Sequence, residues 1–361
     1  MKRRSLLIGA GAGAALAASG ALWWRSATGS MATYDALTSR LRTPLPAEPT
    51  TAGLLRYATL AANGHNTQPW RFRVQPDEIT IEPDYSRRTP VVDPDDHHLF
   101  VSLGCAAQNL ALATAAAGLS SDVEVGANGS VRHRLAPGAP MRDPMFAAIP
   151  RRQTTRSLYD GKPVPPAMID ALRRAAEGPG VRVVILTDAA IDAVRDLVVE
   201  ANTAQIADPA FVAELKTWLR FNPREAIAHA DGLFAATTGT PPVPGPLGRA
   251  LFDRLFTAAN ENDKHARAIR SSSGFAVFFA ETESPAGWVA IGGACQRFAL
   301  TATRLGLKQA FLNQPVEVPA FRPALAALAG EATLRPDLLM RFGSGPDRPY
   351  ALRRPVTAVL D

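Results

Sequence analysis

The chain has 361 residues, 39 Lys and Arg against 33 Asp and Glu, 47% apolar and 20% charged residues, and 30 prolines. It is too apolar and too weakly charged for a disordered chain, and long enough for one large domain or two ordinary ones. The net charge of +6 includes Lys2, Arg3, Arg4 and Arg25 in an acid-free first thirty residues, so the rest carries only +2 and indicates no nucleic-acid surface, while two cysteines, Cys105 and Cys295, exclude a disulfide scaffold or a cysteine-based zinc module.

In residues 1–30 the pair Arg3-Arg4 precedes an Ala- and Gly-rich apolar run from Leu6 to Trp24. This reads as a twin-arginine signal, handled by the Tat export machinery, and predicts an exported, periplasmic or extracytoplasmic protein. The run is about 19 residues, near the minimum for a span, so it could also stay attached as an anchor. Trp23-Trp24-Arg25 suits a membrane interface, and no small-x-small cleavage site follows. Cleaved and anchored forms both stay open. Gly9, Gly11 and Gly13 imitate a dinucleotide-binding turn, but only Leu6-Leu7-Ile8 precedes them where a strand is needed.

Residues 35–63 show a helical pattern interrupted by prolines. Arg71–Val74 and Glu78–Glu82 alternate as a hairpin around Pro76-Asp77. Tyr85–Asp96 reads as loop, Leu99–Leu119 as a long buried helix, Val123–Val125 and Val131–Leu135 as strands, and 136–144 as a linker. Then follow helix Pro166–Ala176, strand Val181–Leu186, helix Ala189–Ala204, and a helix opened by Asp208 as N-cap and Pro209 at the first helical position. Beyond the PPVPGP break at 241–246 come helix Leu251–Ile269, strand Gly274–Glu281, a second apolar helix Trp288–Leu307, and strands near 308–312 and 337–343.

A shift of 188 residues places Gly104 on Gly292, Gln108 on Gln296, Ala111 on Ala299, Leu112 on Leu300, and Gly118-Leu119 on Gly306-Leu307. Two weakly charged helices sharing this pattern predict two related halves packed helix to helix.

Two polar segments stand out. His65-Asn66-Thr67-Gln68-Pro69-Trp70 joins a helix end to a strand, and offers amide and hydroxyl groups that suit the edge of a planar heterocycle. In Arg151-Arg152-Gln153-Thr154-Thr155-Arg156, the cations Arg152 and Arg156 can fork onto a phosphate and Thr154 adds a hydroxyl. Each also has a plain reading, as a satisfied turn and as a solvated basic run.

With these segments, Asn313-Gln314-Pro315-Val316-Glu317 and Arg353-Arg354-Pro355, the chain resembles the FMN-dependent nitroreductases over roughly residues 50–361. It is most similar to an exported branch with two nitroreductase-like halves in one chain. The resemblance implies an α+β, nitroreductase-like three-layer fold whose halves form an internal pseudo-dimer. Residues 1–30 would be the signal or anchor, 31–140 the first half and 141–361 the second, with a helical insertion and lid candidate at 205–270. Trp218, Arg220 and Asn222 mark that insertion.

The cofactor-binding residues it implies are Asn63, Gly64, Asn66 and Gln68 at the flavin edge, and Arg152, Gln153, Thr154 and Arg156 at the phosphate. Pro315, Val316 and Glu317 would lie near flavin N5, and Arg353 and Arg354 would form a second basic contact. Relatives usually carry Pro-Ser where Ala62-Asn63 stands. The edge loop survives only in the first half and the phosphate loop only in the second, so one composite FMN site is expected in a monomer.

Asp93, Asp95, Asp96, His97 and His98 have metal-ligand types but crowd too closely along the chain to wrap an ion easily, and read as a solvated acidic loop. No metal and no acid–base catalytic side chain is expected. Cys105 and Cys295 read as small core residues. The implied function is an FMN oxidoreductase passing hydride or electrons from a reduced donor such as NAD(P)H to a planar acceptor, a nitroaromatic or quinone. The alternative is a non-catalytic FMN storage or sensing protein with an occluded site.

Overall fold

In the computed structural model of the protein, the described residues are Gly20 and 23–361, so most of the expected export segment lies outside them. In chain order the elements are α1 (Met31–Leu41), α2 (Thr51–Thr59), β1 (Trp70–Gln75), β2 (Glu78–Pro83), α3 (His97–Ala116), β3 (Leu119–Val125) and β4 (Val131–Pro137). There follow α4 (Pro166–Ala176), β5 (Val181–Leu186), α5 (Ile191–Ala207), α6 (Pro209–Thr217), β6 (Leu219–Arg220), α7 (Pro223–His229), β7 (Leu233–Phe234), α8 (Gly245–Leu255) and α9 (Ala258–Arg270). The chain ends with β8 (Gly274–Ala280), α10 (Pro285–Arg304), β9 (Lys308–Phe311), α11 (Gln314–Glu317), α12 (Arg322–Leu328) and β10 (Pro336–Gly343).

The fold is α+β, with two antiparallel four-stranded sheets ordered β1-β2-β4-β3 and β5-β8-β10-β9. The first sheet falls within 31–140 and the second within 141–361. In β1 and β2 the hairpin register runs from Trp70 opposite Pro83 to Gln75 opposite Glu78, around Pro76-Asp77. Every residue of β8 is buried, and its alternate side chains serve different cores. Ala276 and Phe278 face the central helices, whereas Phe275, Val277 and Phe279 face a second cluster with Val194, Val198 and Leu325. That period of two makes the second half three layers, helix over sheet over helix.

Between the sheets α3 packs on α10. The pairing obeys the 188-residue shift: a Cβ on Gly104 would lie 1.9 Å from Val289 O, and one on Gly292 2.0 Å from Val101 O. Polar contacts repeat the same symmetry, with Arg297 Nη1 donating to Gln108 Oε1 at 3.1 Å and Gln296 Nε2 to Asn109 Oδ1 at 2.8 Å. Helix α3 is long and apolar enough to cross a membrane, but here it is the central element of the core. The chain's end returns to the first half: Phe72 N donates to Val359 O at 2.7 Å and Asp361 N to Phe72 O at 3.0 Å, which covers the free edge of β1.

Two sequence expectations change. The helix expected over 251–269 is two helices, because Thr257 leaves the helical conformation and caps α9 by accepting from Asn260 N. The 93–98 segment is not a solvated acidic loop. Asp93 is buried, and its two carboxylate oxygens accept from His98 N and Leu99 N at the start of α3.

Candidate functional site

A cavity of about 590 Å³ is walled by residues from both segments 31–140 and 141–361, called the first and second half below. The first half contributes Asn63 and Gly64 from the turn after α2, with His98, Ser102 and Cys105 from α3. The second half contributes Arg156, Arg341 and Arg348, and Asn313, Gln314 and Glu317 around α11. Insertion residues including Phe211, Leu215, Phe256 and His265 close one wall.

The turn at 62–68 is held from several sides. Ala62 N donates to Gln296 Oε1 at 3.3 Å, Gly64 N to Ser102 Oγ at 3.3 Å, and Gln68 N to Asn63 Oδ1 at 2.9 Å. His65, Asn66 and Gln68 all take positive φ, at 47°, 56° and 55°. Three non-glycine residues in that region carry strain, which the surrounding contacts must offset. Those contacts come from side chains expected to bind a ligand. Asn66 Nδ2 donates to Gly232 O and Leu352 O, and its Oδ1 accepts from Arg353 Nη1 at 2.7 Å. Gln68 Nε2 donates to Ala230 O at 2.9 Å and Gln68 Oε1 accepts from Arg354 N at 2.7 Å.

Arg353 spends its other donors on Thr59 O, Ala61 O and Leu352 O. Asn66, Gln68, Arg353 and Arg354 are therefore a network that fixes the turn and does not wall the cavity. Their long polar side chains reach backbone carbonyls of the insertion and the C-terminal tail before they reach open space.

The basic loop divides in the same way. Thr154 pairs with Gln309 in an isolated bridge, and Gln309 Nε2 donates to Gln153 O. Gln153 Oε1 accepts from Arg348 N, and its Nε2 donates to Arg348 O at 3.0 Å, so Gln153 positions Arg348. Arg152 points behind the turn, where Nη2 donates to Leu60 O at 3.0 Å. Gln153, Thr154 and Arg152 thus also lie off the cavity wall. Arg156 opens onto it. Its side chain is accessible, yet protein surrounds it, so its exposure is to the cavity. Burial and then the Arg341 cation lower its affinity for the proton. Among the described residues it has no hydrogen bond and no carboxylate partner.

Around α11, Val316 is core and Pro315 a buried turn residue, while Glu317 reaches the cavity. Gln205 Nε2 donates to Glu317 Oε2 at 2.7 Å, and His98 Nδ1 lies 4.0 Å from Oε1. Burial raises the Glu317 carboxyl and pushes His98 down to about 4. His65 and His265 also fall to about 4, burial being the first cause and nearby cations, Arg156 among them, the next. The cavity histidines His65, His98 and His265 are therefore neutral at pH 7. Asp93, His97 and His98 bring one ligand atom each within 4.8 Å of one another, closer than their crowding along the chain suggested. His97 Nε2 faces Asp337 Oδ1 at 3.1 Å, where a bulge in β10 turns Asp337 inward.

Of the insertion markers, Arg220 pairs with the largely buried Asp231, with which Arg87 of the 31–140 segment also pairs, tying 205–270 to that segment. Asn222 caps α7, accepting from Glu225 N at 2.9 Å, and Trp218 ends α6. Sequence reasoning missed Arg341, Arg348 and His265; it named Gln314 within the 313–317 segment and His98 within the 93–98 group without placing either on the cavity wall. Arg341 had a signal, a lone cation inside the apolar strand LLMRFG.

The cavity's chemistry suits a phosphorylated planar heterocycle. Its volume is that of a small-molecule site. A Cβ on Gly64 would meet nothing nearer than His98 Cβ at 4.0 Å, so the backbone there is open to a ligand. Among the described residues, buried Gln314 Oε1 has no donor and Arg156 has no anion.

No family model matches the chain. Over 321 residues it is 28% identical to Rv3131 of Mycobacterium tuberculosis, named as a candidate NAD(P)H nitroreductase, covering 85% of this chain and 88% of that one. Over 322 residues it is 24% identical to acg, a second candidate NAD(P)H nitroreductase of that species, covering 85% and 93%. Among solved structures it is similar to the FMN-dependent nitroreductase NfnB of Mycobacterium smegmatis in complex with NADPH, at 16% identity and a TM-score of 0.36, over 56% of this chain and 87% of that chain.

Proposed function

We propose that the chain is an FMN-binding oxidoreductase of the nitroreductase family, with one site assembled between its own two halves. The observation that carries this is the Arg156 guanidinium, lining the cavity without an acidic partner among the described residues, opposite the Asn63-Gly64 turn. A phosphate there would relieve both the desolvation and the repulsion from Arg341. The named activities of the two Mycobacterium tuberculosis relatives support the same class.

When bound, FMN supplies the hydride and electron chemistry, from a reduced donor such as NAD(P)H to a planar acceptor. Arg156 and Arg348 would hold the phosphate. Gly64 and Asn63 would lie along the ring edge, with Gln314 as a polar contact. His98, pushed down to about 4 by burial, would stay neutral beside it, and burial raises the Glu317 carboxyl. The two halves complete the site, so a monomer suffices. The basic, apolar N-terminus fits export through the twin-arginine route.

A second reading, FMN storage or sensing without turnover, is favoured by one feature. Phe211, Leu215 and Phe256 of the insertion wall the cavity and would exclude a bulky nicotinamide donor.

Purified protein should carry flavin absorbance. NADPH with a nitroaromatic should bleach it and regenerate it with turnover. Bleaching by dithionite but never by NADPH, with no acceptor reduced, selects the storage reading. Absence of any flavin binding would sink both.

A further inference from the structure

The insertion carries an apolar face that nothing above uses. In α8, Leu247, Leu251 and Leu255 recur every fourth residue, so they share one face along about 12 Å of helix. They are 43%, 39% and 52% exposed, and among the described residues they belong to none of the hydrophobic cores. The inner side of the helix lies elsewhere. A Cβ on Gly248 would stand 2.4 Å from the Phe221 ring, and one on Gly245 2.0 Å from Glu225 Oε1. Phe252 and Phe256 stack with ring centroids 4.4 Å apart, and Phe256 walls the cavity.

A second exposed apolar group lies near the start of the chain. Trp23 and Trp24, 61% and 41% exposed, close the apolar run that begins at Leu6. They stand on a short helical stretch over 23–28, where Ser26 Oγ donates to Trp23 O at 2.8 Å and Thr28 Oγ1 to Trp24 O at 2.9 Å. One short helix holds both groups. On α7, Arg224 Nη1 donates to Ser26 O at 3.1 Å, and a Cβ on Gly29 would stand 2.9 Å from Arg224 N. The next residue, Glu225, lies against Gly245 and accepts from Arg249 Nη1 at 3.5 Å. The end of the N-terminal run and the first turns of α8 are thus fixed to adjacent residues.

Charge follows the same pattern. Residues 23–29 and 245–255 hold three exposed cations, Arg25, Arg249 and Arg254, against one acid, Asp253, which Lys216 pairs. Leucines flanked by arginines on one helix, with tryptophans closing an apolar run nearby, have the chemistry of a segment lying in a bilayer interface. The apolar side chains enter the acyl boundary and the guanidinium groups stay among lipid phosphates.

We infer that the leucine face of α8 docks on the surface of an anionic lipid bilayer, beside the place where Trp23 and Trp24 meet the same surface. Three leucines on one helix bind a membrane weakly by themselves. When the N-terminal run is held by the bilayer, the second contact is intramolecular, and a weak face suffices. Arg254 then lies at the headgroups, and each such cation adds to the attraction of an anionic surface. The inference does not rest on the oxidoreductase reading.

The test uses the full-length chain with vesicles of phosphatidylcholine and phosphatidylglycerol. An environment-sensitive nitrobenzoxadiazole dye is placed at Leu251→Cys or, as reference, at Val123→Cys on the exposed edge strand β3. Wild type carried through the same labelling gives the background from the buried Cys105 and Cys295. The dye at 251 should shift to shorter wavelength with vesicles and be quenched by lipids brominated in their acyl chains, while the dye at 123 stays in water. Arg254→Gln should lower the docking equilibrium roughly fivefold at low salt. Adding Leu247→Ser and Leu255→Ser to the labelled chain should abolish the shift. A dye at 251 that stays in water, or an equal response at 251 and 123, would overturn the proposal. So would a short-wavelength dye at 251 in lipid-free buffer. If that signal grew with protein concentration it would assign the face to a second copy, and if it were constant, to another segment of the same chain. An equal response with phosphatidylcholine alone, or an unchanged equilibrium in Arg254→Gln, would overturn the part given to charge. The dye reads docking with or without flavin, so failure of the oxidoreductase reading leaves this outcome separate.

Discussion

Gly104 and Gly292 face each other across the helix crossing, each occupying the space that a side chain on the other helix would need. A Cβ on Gly104 would come within 1.9 Å of Val289 O, and one on Gly292 within 2.0 Å of Val101 O. Backbone carbonyls at the centre of two long helices cannot move aside individually, so the helices must separate. Gly104→Ala and Gly292→Ala should each cost about 1–3 kcal/mol, as overpacked cores do. The double variant should cost less than the sum, since one separation relieves both clashes. Urea unfolding of the three variants measures this, and full additivity would mean that the crossing does not act as a unit.

Arg156 should matter to ligand content more than any other arginine of its loop. It lines the cavity and has no acidic partner among the described residues, whereas Arg152 lies behind the turn with Nη2 on Leu60 O. Loss of a charge-assisted hydrogen bond costs about 1.5–3 kcal/mol, so Arg156→Ala should weaken FMN binding by roughly tenfold to a hundredfold. Flavin absorbance per chain, and the dissociation constant from fluorescence titration, give the answer. Unaltered affinity would remove Arg156 from the anion site.

The same contrast shows what the sequence could reveal. Hairpin strands around Pro76-Asp77, the helix starting at Pro166 and the glycine pair at a fixed shift follow from local rules, so they could be read directly. The polar turn and the basic loop could be located, and both border the cavity. The direction of each side chain could not be read. Asn66 and Asn63 are equally plausible ligands in the sequence, yet Asn66 meets Gly232 O and Leu352 O, from segments 166 and 286 residues away. Arg341 and Arg348 were overlooked because their role depends on where the last strand and its tail return. The split at Thr257 was a local signal, a capping residue, hidden by the apolar pattern running across it.

Asn66 should behave as a structural residue. Asn66→Ala removes the acceptor for Arg353 Nη1 and two donors to carbonyls, in a turn already held at positive φ. A buried donor left unpaired costs about 1–3 kcal/mol, and alanine tolerates the left-handed backbone less well than asparagine. The expected result is lower thermal stability and looser protection of the turn in hydrogen exchange, with any flavin loss following from that loosening. Full thermal stability with lost flavin would instead make Asn66 a direct ligand.

His133 offers a pH test that is independent of the cavity. It is fully buried in β4, its Nδ1 pairs with Ser121 Oγ at 2.8 Å, and burial alone pushes it down to about 4 from 6.5. The folded chain refuses a proton that the unfolded chain accepts below pH 6.5. Its contribution is therefore complete above that pH and is lost as pH falls from 6.5 towards 4, by up to about 3 kcal/mol. Asp337, raised to about 6 chiefly by burial, works in the opposite sense, because its neutral form favours the folded state as pH falls. A wild-type stability curve mixes the two. The difference between wild type and His133→Gln isolates the histidine, and the variant should lose less stability between pH 7 and 4. Parallel curves would show that His133 is protonated without penalty in the folded sheet.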